Sequence, residues 1–352
     1  MSEHFLYRKI STIAFVGLLA FLPFISSAAL AAKDTDYQRR LKSITLPKQL
    51  GIPLSMATVQ ESYKGNSKLL LPEYILIEDI HSHPEAQGKI AALILYAHHH
   101  LRSQRVLVEG AFAEVGPPPF PMFTVERGQL SANELLRRGQ LSGGELGAAL
   151  ISHSEDSSHF KVIGVDDRQL YRRQLESYQS LMALQPTALR QLRKRYFLMS
   201  SRQRDLLTHL LELKLSPGEY DMYLRVAKDK EGNSSLSRAI HLAESYYRLA
   251  DLRSYRFLQR APALVPGQPC MIVVGGFHMP AMTQELKRQK KSFVLLTPHI
   301  TQSDPGNLYK DRLRESYQAT HRPSSGGLCS SALASLRLSL GRHRSPQSDS
   351  EL

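Results

Sequence analysis

Four places in the chain put an acid or an imidazole directly after a short apolar run: Glu78-Asp79-Ile80-His81-Ser82-His83, Glu109-Gly110, Asp166-Asp167 and Gly275-Gly276-Phe277-His278. Imidazoles beside carboxylates move protons near neutral pH, and such a pair can activate water against an ester or amide. Singly, each of these residues reads as a helix cap or a solvated loop position. Jointly they make a polar group of two histidines and two or three carboxylates, which is costly to assemble without a use for it.

Several sharper readings fail on spacing. His81-Ser82-His83-Pro84 resembles the JAMM metalloprotease signature, but the Ser and Asp that should follow are replaced by Ala92 and Leu95. An amidohydrolase barrel also places His-x-His after its first strand, yet it needs a full set of βα units that this chain does not display. His98-His99-His100 ends a predicted helix, where consecutive side chains diverge by about 100° and cannot share one metal. Cationic residues there complement the helix dipole instead. No Gly-x-Ser-x-Gly elbow is present, which argues against a covalent serine esterase.

The apolar runs themselves are Tyr74-Ile75-Leu76-Ile77, Val106-Leu107-Val108, Val162-Ile163-Gly164-Val165, Met271-Ile272-Val273-Val274 and Phe293-Val294-Leu295-Leu296. Short strands apolar throughout and separated by helices predict an α/β fold, with a mainly parallel sheet flanked by helices. In such sheets ligands sit beyond the carboxyl ends of the strands, where the polar residues above fall. Residues 85–101 carry apolar positions at helical spacing (Ile90, Leu93, Ile94, Ala97, Leu101), and further helices are expected near 131–138 and 143–152. A Gly/Pro-rich loop spans 116–121. Residues 168–260, rich in Leu, Arg, Gln and Tyr, read as a helical insertion or cap interrupted at Pro186, at Ser216-Pro217-Gly218 and at Gly232-Asn233. The organisation expected is therefore a lead-in over 32–72, an α/β domain over 73–322 containing that insertion, and a disordered Ser/Gly/Arg-rich tail over 323–352.

The 352 residues hold 45 Lys and Arg against 32 Asp and Glu, a formal charge of +13. That balance invites a nucleic-acid reading, which the N-terminus opposes. Arg8 and Lys9 precede an apolar run broken by Pro23 and ending in Ala29-Leu30-Ala31, the pattern of a cleaved signal peptide over 1–31 rather than a membrane anchor. Export to the periplasm or beyond is the expectation, and no cysteine at the cleavage site provides for a lipid anchor. The mature chain loses Arg8, Lys9 and Glu3 and keeps +12. Its basic surface then suits an anionic envelope rather than nucleic acid. Within it, the stretch with Arg190, Arg193, Lys194, Arg195, Arg202 and Arg204 reads as a solvated helical face. Cys270 and Cys329 are the only cysteines, and an oxidising compartment would allow them to pair.

The strand-end motifs resemble the TraB/TIKI superfamily, which embraces the ChaN-like and erythromycin-esterase-like proteins. Two Gly-x-x-His motifs, acidic residues and an Arg mark that superfamily. Here Gly275 and His278 match the later motif, while the earlier one keeps His81 but has Glu78 in place of its Gly. Val108-Glu109-Gly110 and Gly164-Val165-Asp166-Asp167 supply the acids, and Arg253 supplies the Arg, over residues 74–301. The resemblance implies a site at His81, Glu109, Asp166, Arg253 and His278 without fixing a reaction, because relatives include esterase-like and metal-dependent protease-like enzymes and a haem-binding lipoprotein.

Three readings follow. In the first the chain is an exported hydrolase of small-molecule or peptide esters or amides: His81 or His278 activates water, Glu109 orients that His or shares the proton work, and Arg253 with the Gly275 and Gly276 backbone stabilises the oxyanion. A variant holds Mn, Co or Zn through His81, Glu109, Asp166 and His278. In the second the same edge binds haem, with His81 or Tyr171 as axial ligand. In the third it is a structural network. Tyr246, Tyr247 and Tyr255 suit either a lid over a polar substrate or core packing.

Overall fold

The computed structural model describes residues 50–67, 71–115, 132–138, 141–152, 160–226 and 234–301. Seven strands form one sheet in the order β1-β7-β2-β6-β3-β5-β4. They are β1 (Ala57–Tyr63), β2 (Tyr74–Asp79), β3 (Arg105–Val108), β4 (Glu114–Val115), β5 (Lys161–Gly164), β6 (Cys270–Gly275) and β7 (Phe293–Pro298). The five inner strands run parallel, and β1 and β4 close the two edges antiparallel. The fold is α/β, as the continuous apolar runs require.

Those runs are apolar at every position because both sheet faces are covered. Ile75, Ile77, Val106, Met271, Val273 and Val294 point to one face and pack on α1 (Pro84–Leu101) and α3 (Gly143–Ser152). Leu76, Leu107, Ile272, Val274 and Phe293 point to the other, against Phe257 and the Met279, Met282 and Leu286 stripe of α8 (Met279–Arg288). Strand alternation thus splits each run between two cores. A short α2 (Ala132–Arg137) packs by Leu135 and Leu136 against Ala91 and Leu146.

The helical insertion holds α4 (Arg168–Lys194), a single 3-10 turn at Tyr196–Leu198, α5 (Ser201–Leu211), α6 (Pro217–Val226) and α7 (Ser235–Arg260). It has a core of its own, built from Tyr178, Leu181, Leu192, Leu210, Tyr223 and Tyr247 among others. Tyr246 and Tyr247 are buried there, and the Tyr247 hydroxyl accepts the Leu215 backbone N–H at 2.8 Å, so these two serve packing; Tyr255 is 39 % exposed. Helix starts carry the expected caps. Asp167 accepts the Gln169 and Leu170 N–H groups at the head of α4, and Ser200 and Gln203 form a reciprocal capping box at α5.

Three expectations change. The lead-in holds an edge strand: β1 pairs with β7 and fully buries only Ala57, so its sequence lacks the continuous apolar signature of a central strand. Pro186 does not interrupt the insertion, since α4 runs through it, whereas a break at 195–200 had no Pro or Gly to announce it. Pro217 does open a helix, at the first-turn position where its missing N–H costs nothing. Residues 1–31, 116–121, Gly232-Asn233, Cys329 and the tail lie outside the described residues. Cys270 is buried at the start of β6, which pushes its thiol up to about 12. No helix among the described residues is long and apolar enough to cross a membrane.

Candidate functional site

Parallel strands end at one edge, and four adjacent ones bring the polar residues together there. β2 ends in Glu78 and Asp79 in register with Val274 and Gly275 of β6; Glu109 follows β3, and Asp166 lies two residues beyond β5. The loop after β3 is drawn onto the end of β5, where the Asp166 N–H donates to Ala111 O at 3.0 Å and the Gly164 N–H to Ala113 O at 2.8 Å. All five expected residues, His81, Glu109, Asp166, Arg253 and His278, join one hydrogen-bonded and ion-paired cluster.

Arg253, delivered by α7, is its centre. Nε donates to Asp166 Oδ1 at 2.9 Å and Nη2 to Asp166 Oδ2 at 2.5 Å; Nη2 also reaches Glu109 Oε1 at 2.7 Å and Nη1 reaches Gln174 Oε1 at 2.5 Å. The guanidinium lies over the Tyr171 and Phe257 rings at 5.1 and 5.4 Å. Burial opposes its charge, but Asp166 and Glu109 more than reverse this and hold it well above its ordinary value. Asp166, fully buried, also accepts the Gly110 and Asp167 N–H groups.

Glu109 joins this buried frame to a more open part. Its Oε2 accepts the Gly275 N–H at 2.9 Å, and its Oε1 lies 3.3 Å from His278 Nε2. Burial alone would raise its pKa, yet His278 and Arg253 carry it well below the usual carboxylate range. His278 is buried, with Nδ1 at 2.8 Å from the Ser254 hydroxyl, which also bonds the Ala250 carbonyl at 3.1 Å. His81 is the most open member, with 28 % of its side chain exposed. Its Nδ1 lies 2.8 Å from Asp79 Oδ2, while Nε2 faces Glu109 Oε2 at 3.7 Å. Burial pulls the His81 pKa down, but Asp79 and Glu109 outweigh it and set the value at about 9. His81 is therefore an imidazolium through neutral pH.

Several partners were not singled out from sequence. Asp79 sits in the quoted β2 motif and could have been read from its spacing to His81. Gln87 holds it, donating to Asp79 Oδ1 at 2.5 Å while accepting the Gly143 N–H at 2.6 Å. Gln174 and Ser254 carry no local signal, because only the packing of α4 and α7 onto the sheet edge brings them in. His83, by contrast, is a helix cap whose Nδ1 accepts the Ala86 N–H. His98, His99 and His100 occupy the last turn of α1, as expected.

The Gly275 N–H and four of the five guanidinium hydrogens of Arg253 are already given to protein acceptors, so the expected oxyanion role does not fit them, while one Nη1 hydrogen and the Gly276 N–H take no part in these bonds. A metal held by His81, Glu109, Asp166 and His278 does not fit either. Both Asp166 oxygens grip Arg253, a cation occupies the middle of the set, and no group of three or more His, Cys, Asp or Glu among the described residues is arranged to hold an ion. The Tyr171 ring packs against the Arg253 guanidinium. No family model, curated protein or solved structure matches the chain.

Proposed function

We propose that the chain hydrolyses an ester or amide at this edge, with His81 as the group that meets the substrate. The observation that carries this reading is the pairing of a partly open imidazolium with an ionised Glu109 across 3.7 Å. That separation exceeds a direct hydrogen bond, and a water oxygen to one side of the pair comes within hydrogen-bond reach of both. A carboxylate has about four lone-pair positions. On Glu109, Arg253 and His278 lie against Oε1 and Gly275 against Oε2, leaving a position toward His81.

Water held there loses its proton to Glu109 as its oxygen attacks the carbonyl carbon. His81 hydrogen-bonds the carbonyl oxygen and then protonates the departing alcohol or amine; the proton on Glu109 returns to His81 and closes the cycle. The low pKa of Glu109 weakens it as a base, so the imidazolium carries most of the acceleration. Arg253, Asp166, Gln174 and Ser254 position Glu109 and His278 rather than touch substrate. Of the groups expected to share the proton work, Glu109 rather than His81 or His278 is then the base.

Turnover of an ester, lactone and peptide panel by the purified protein, in chelator, tests the reading. His81→Ala and Glu109→Gln should each lower kcat/KM on the order of 10²-fold or more. The profile should stay level through neutral pH and fall as His81 deprotonates near about 9. A profile that instead rises through that value would make His81 the base, and no turnover across the panel would remove the hydrolase reading.

A further inference from the structure

Away from this edge, the far end of the helical insertion combines two features that a water-facing surface keeps apart. The 3-10 turn between α4 and α5 leaves Phe197 82 % and Leu198 70 % exposed, the most exposed large apolar side chains among the described residues. Around them Arg190, Arg193, Lys194, Arg195 and Arg202 are all exposed, and no acidic residue occurs between Glu176 and Asp205. Arg204, the sixth base of the stretch, stacks over Tyr196 at 5.6 Å instead.

We infer that this tip docks on the surface of an anionic phospholipid bilayer, with Phe197 and Leu198 entering the headgroup boundary and the five bases meeting lipid phosphates. Adjacent apolar side chains flanked by five exposed bases complement that surface on both counts, through buried apolar area and through attraction to anionic headgroups. The inference is independent of the hydrolase reading.

Position in the fold supports it. α4 starts beside Asp166 and at 1.5 Å per residue carries the tip about 40 Å away. α7 runs back alongside, with the Leu236 N–H bonded to Gln191 near the tip and Arg253 bonded to Asp166 at the sheet edge. A docked tip therefore leaves the strand-end cluster open.

The chain contains no Trp, so Phe197→Trp places a single indole on the tip, and Leu252→Trp places one on α7 at the opposite end, where Leu252 is 46 % exposed. Each full-length variant is titrated with phosphatidylglycerol/phosphatidylethanolamine vesicles and with phosphatidylcholine vesicles while emission and acrylamide quenching are followed. Expected is a blue shift and loss of quenching for Phe197→Trp on the anionic vesicles alone, with Leu252→Trp unchanged. Any attachment through the apolar run near the N-terminus is shared by both variants and does not single out the tip. Adding Arg193→Gln, Lys194→Gln and Arg195→Gln to Phe197→Trp should weaken the response on the order of a hundred-fold. An unchanged indole on anionic vesicles would overturn the inference and leave the face to an acidic protein. So would equal shifts at both positions or on both lipids.

Discussion

His81 and Arg253 sit in one cluster but do different work, and pH and mutation separate them. The folded pKa of His81, about 9, lies above its ordinary 6.5. Its protonation therefore stabilises the fold fully below about 6.5, and that contribution is lost as pH climbs through about 9. The unfolding free energy of the parent protein, from denaturant titration, should fall over this window by about 1–3 kcal/mol more than that of His81→Asn, the range allowing for partial exposure. Glu109 titrates oppositely: its stabilising charge is present above the ordinary carboxylate range and is lost only in acid well below it. Arg253→Met strands buried Asp166 and Glu109 and should cost about 3–5 kcal/mol in chemical denaturation. Arg253→Lys should recover little, because an ammonium cannot span Asp166, Gln174 and Glu109 together.

Elements meet closely at the strand ends, and glycine makes this feasible. A Cβ on Gly164 would stand 2.1 Å from the Ala111 carbonyl carbon, where the segment after β3 crosses the end of β5. Gly164→Ala must push that segment, and Glu109 with it, off the sheet; about 1–3 kcal/mol of lost stability is expected, read by thermal and denaturant unfolding. Gly276 makes room in the same way: the Glu78 carboxyl lies where a Cβ on Gly276 would be and takes the Thr297 hydroxyl at 2.5 Å. The inner strands were legible because burial on both faces makes them apolar throughout. Edge strand β1 was not, because with only Ala57 fully buried its sequence carries no continuous apolar run. α4 passing Pro186 shows tertiary packing against α7 overriding a local breaker.

Across the whole molecule, the sheet and the helical insertion have separate cores yet share α4 and α7, whose near ends hold Asp167, Gln174, Arg253 and Ser254. Melting the insertion releases Arg253 from the site. Leu181→Ala, deep in the insertion core, should cost about 2–5 kcal/mol, and activity should vanish together with helical circular dichroism on heating. Activity surviving past the helical transition would mean that the sheet edge works without its cap.

Residue type and local period were enough to determine the α/β class, the inner strands, most helices and the acids and imidazoles of one edge, since each follows from short-range patterning and from strands running the same way. Tertiary structure alone decided their roles. Gln174 and Ser254 are distant in sequence from the groups they hold, and the charge state of His81 depends on Asp79 and Glu109 lying beside it in a partly buried site. A pKa is set by distance and dielectric, and neither is written in spacing along the chain.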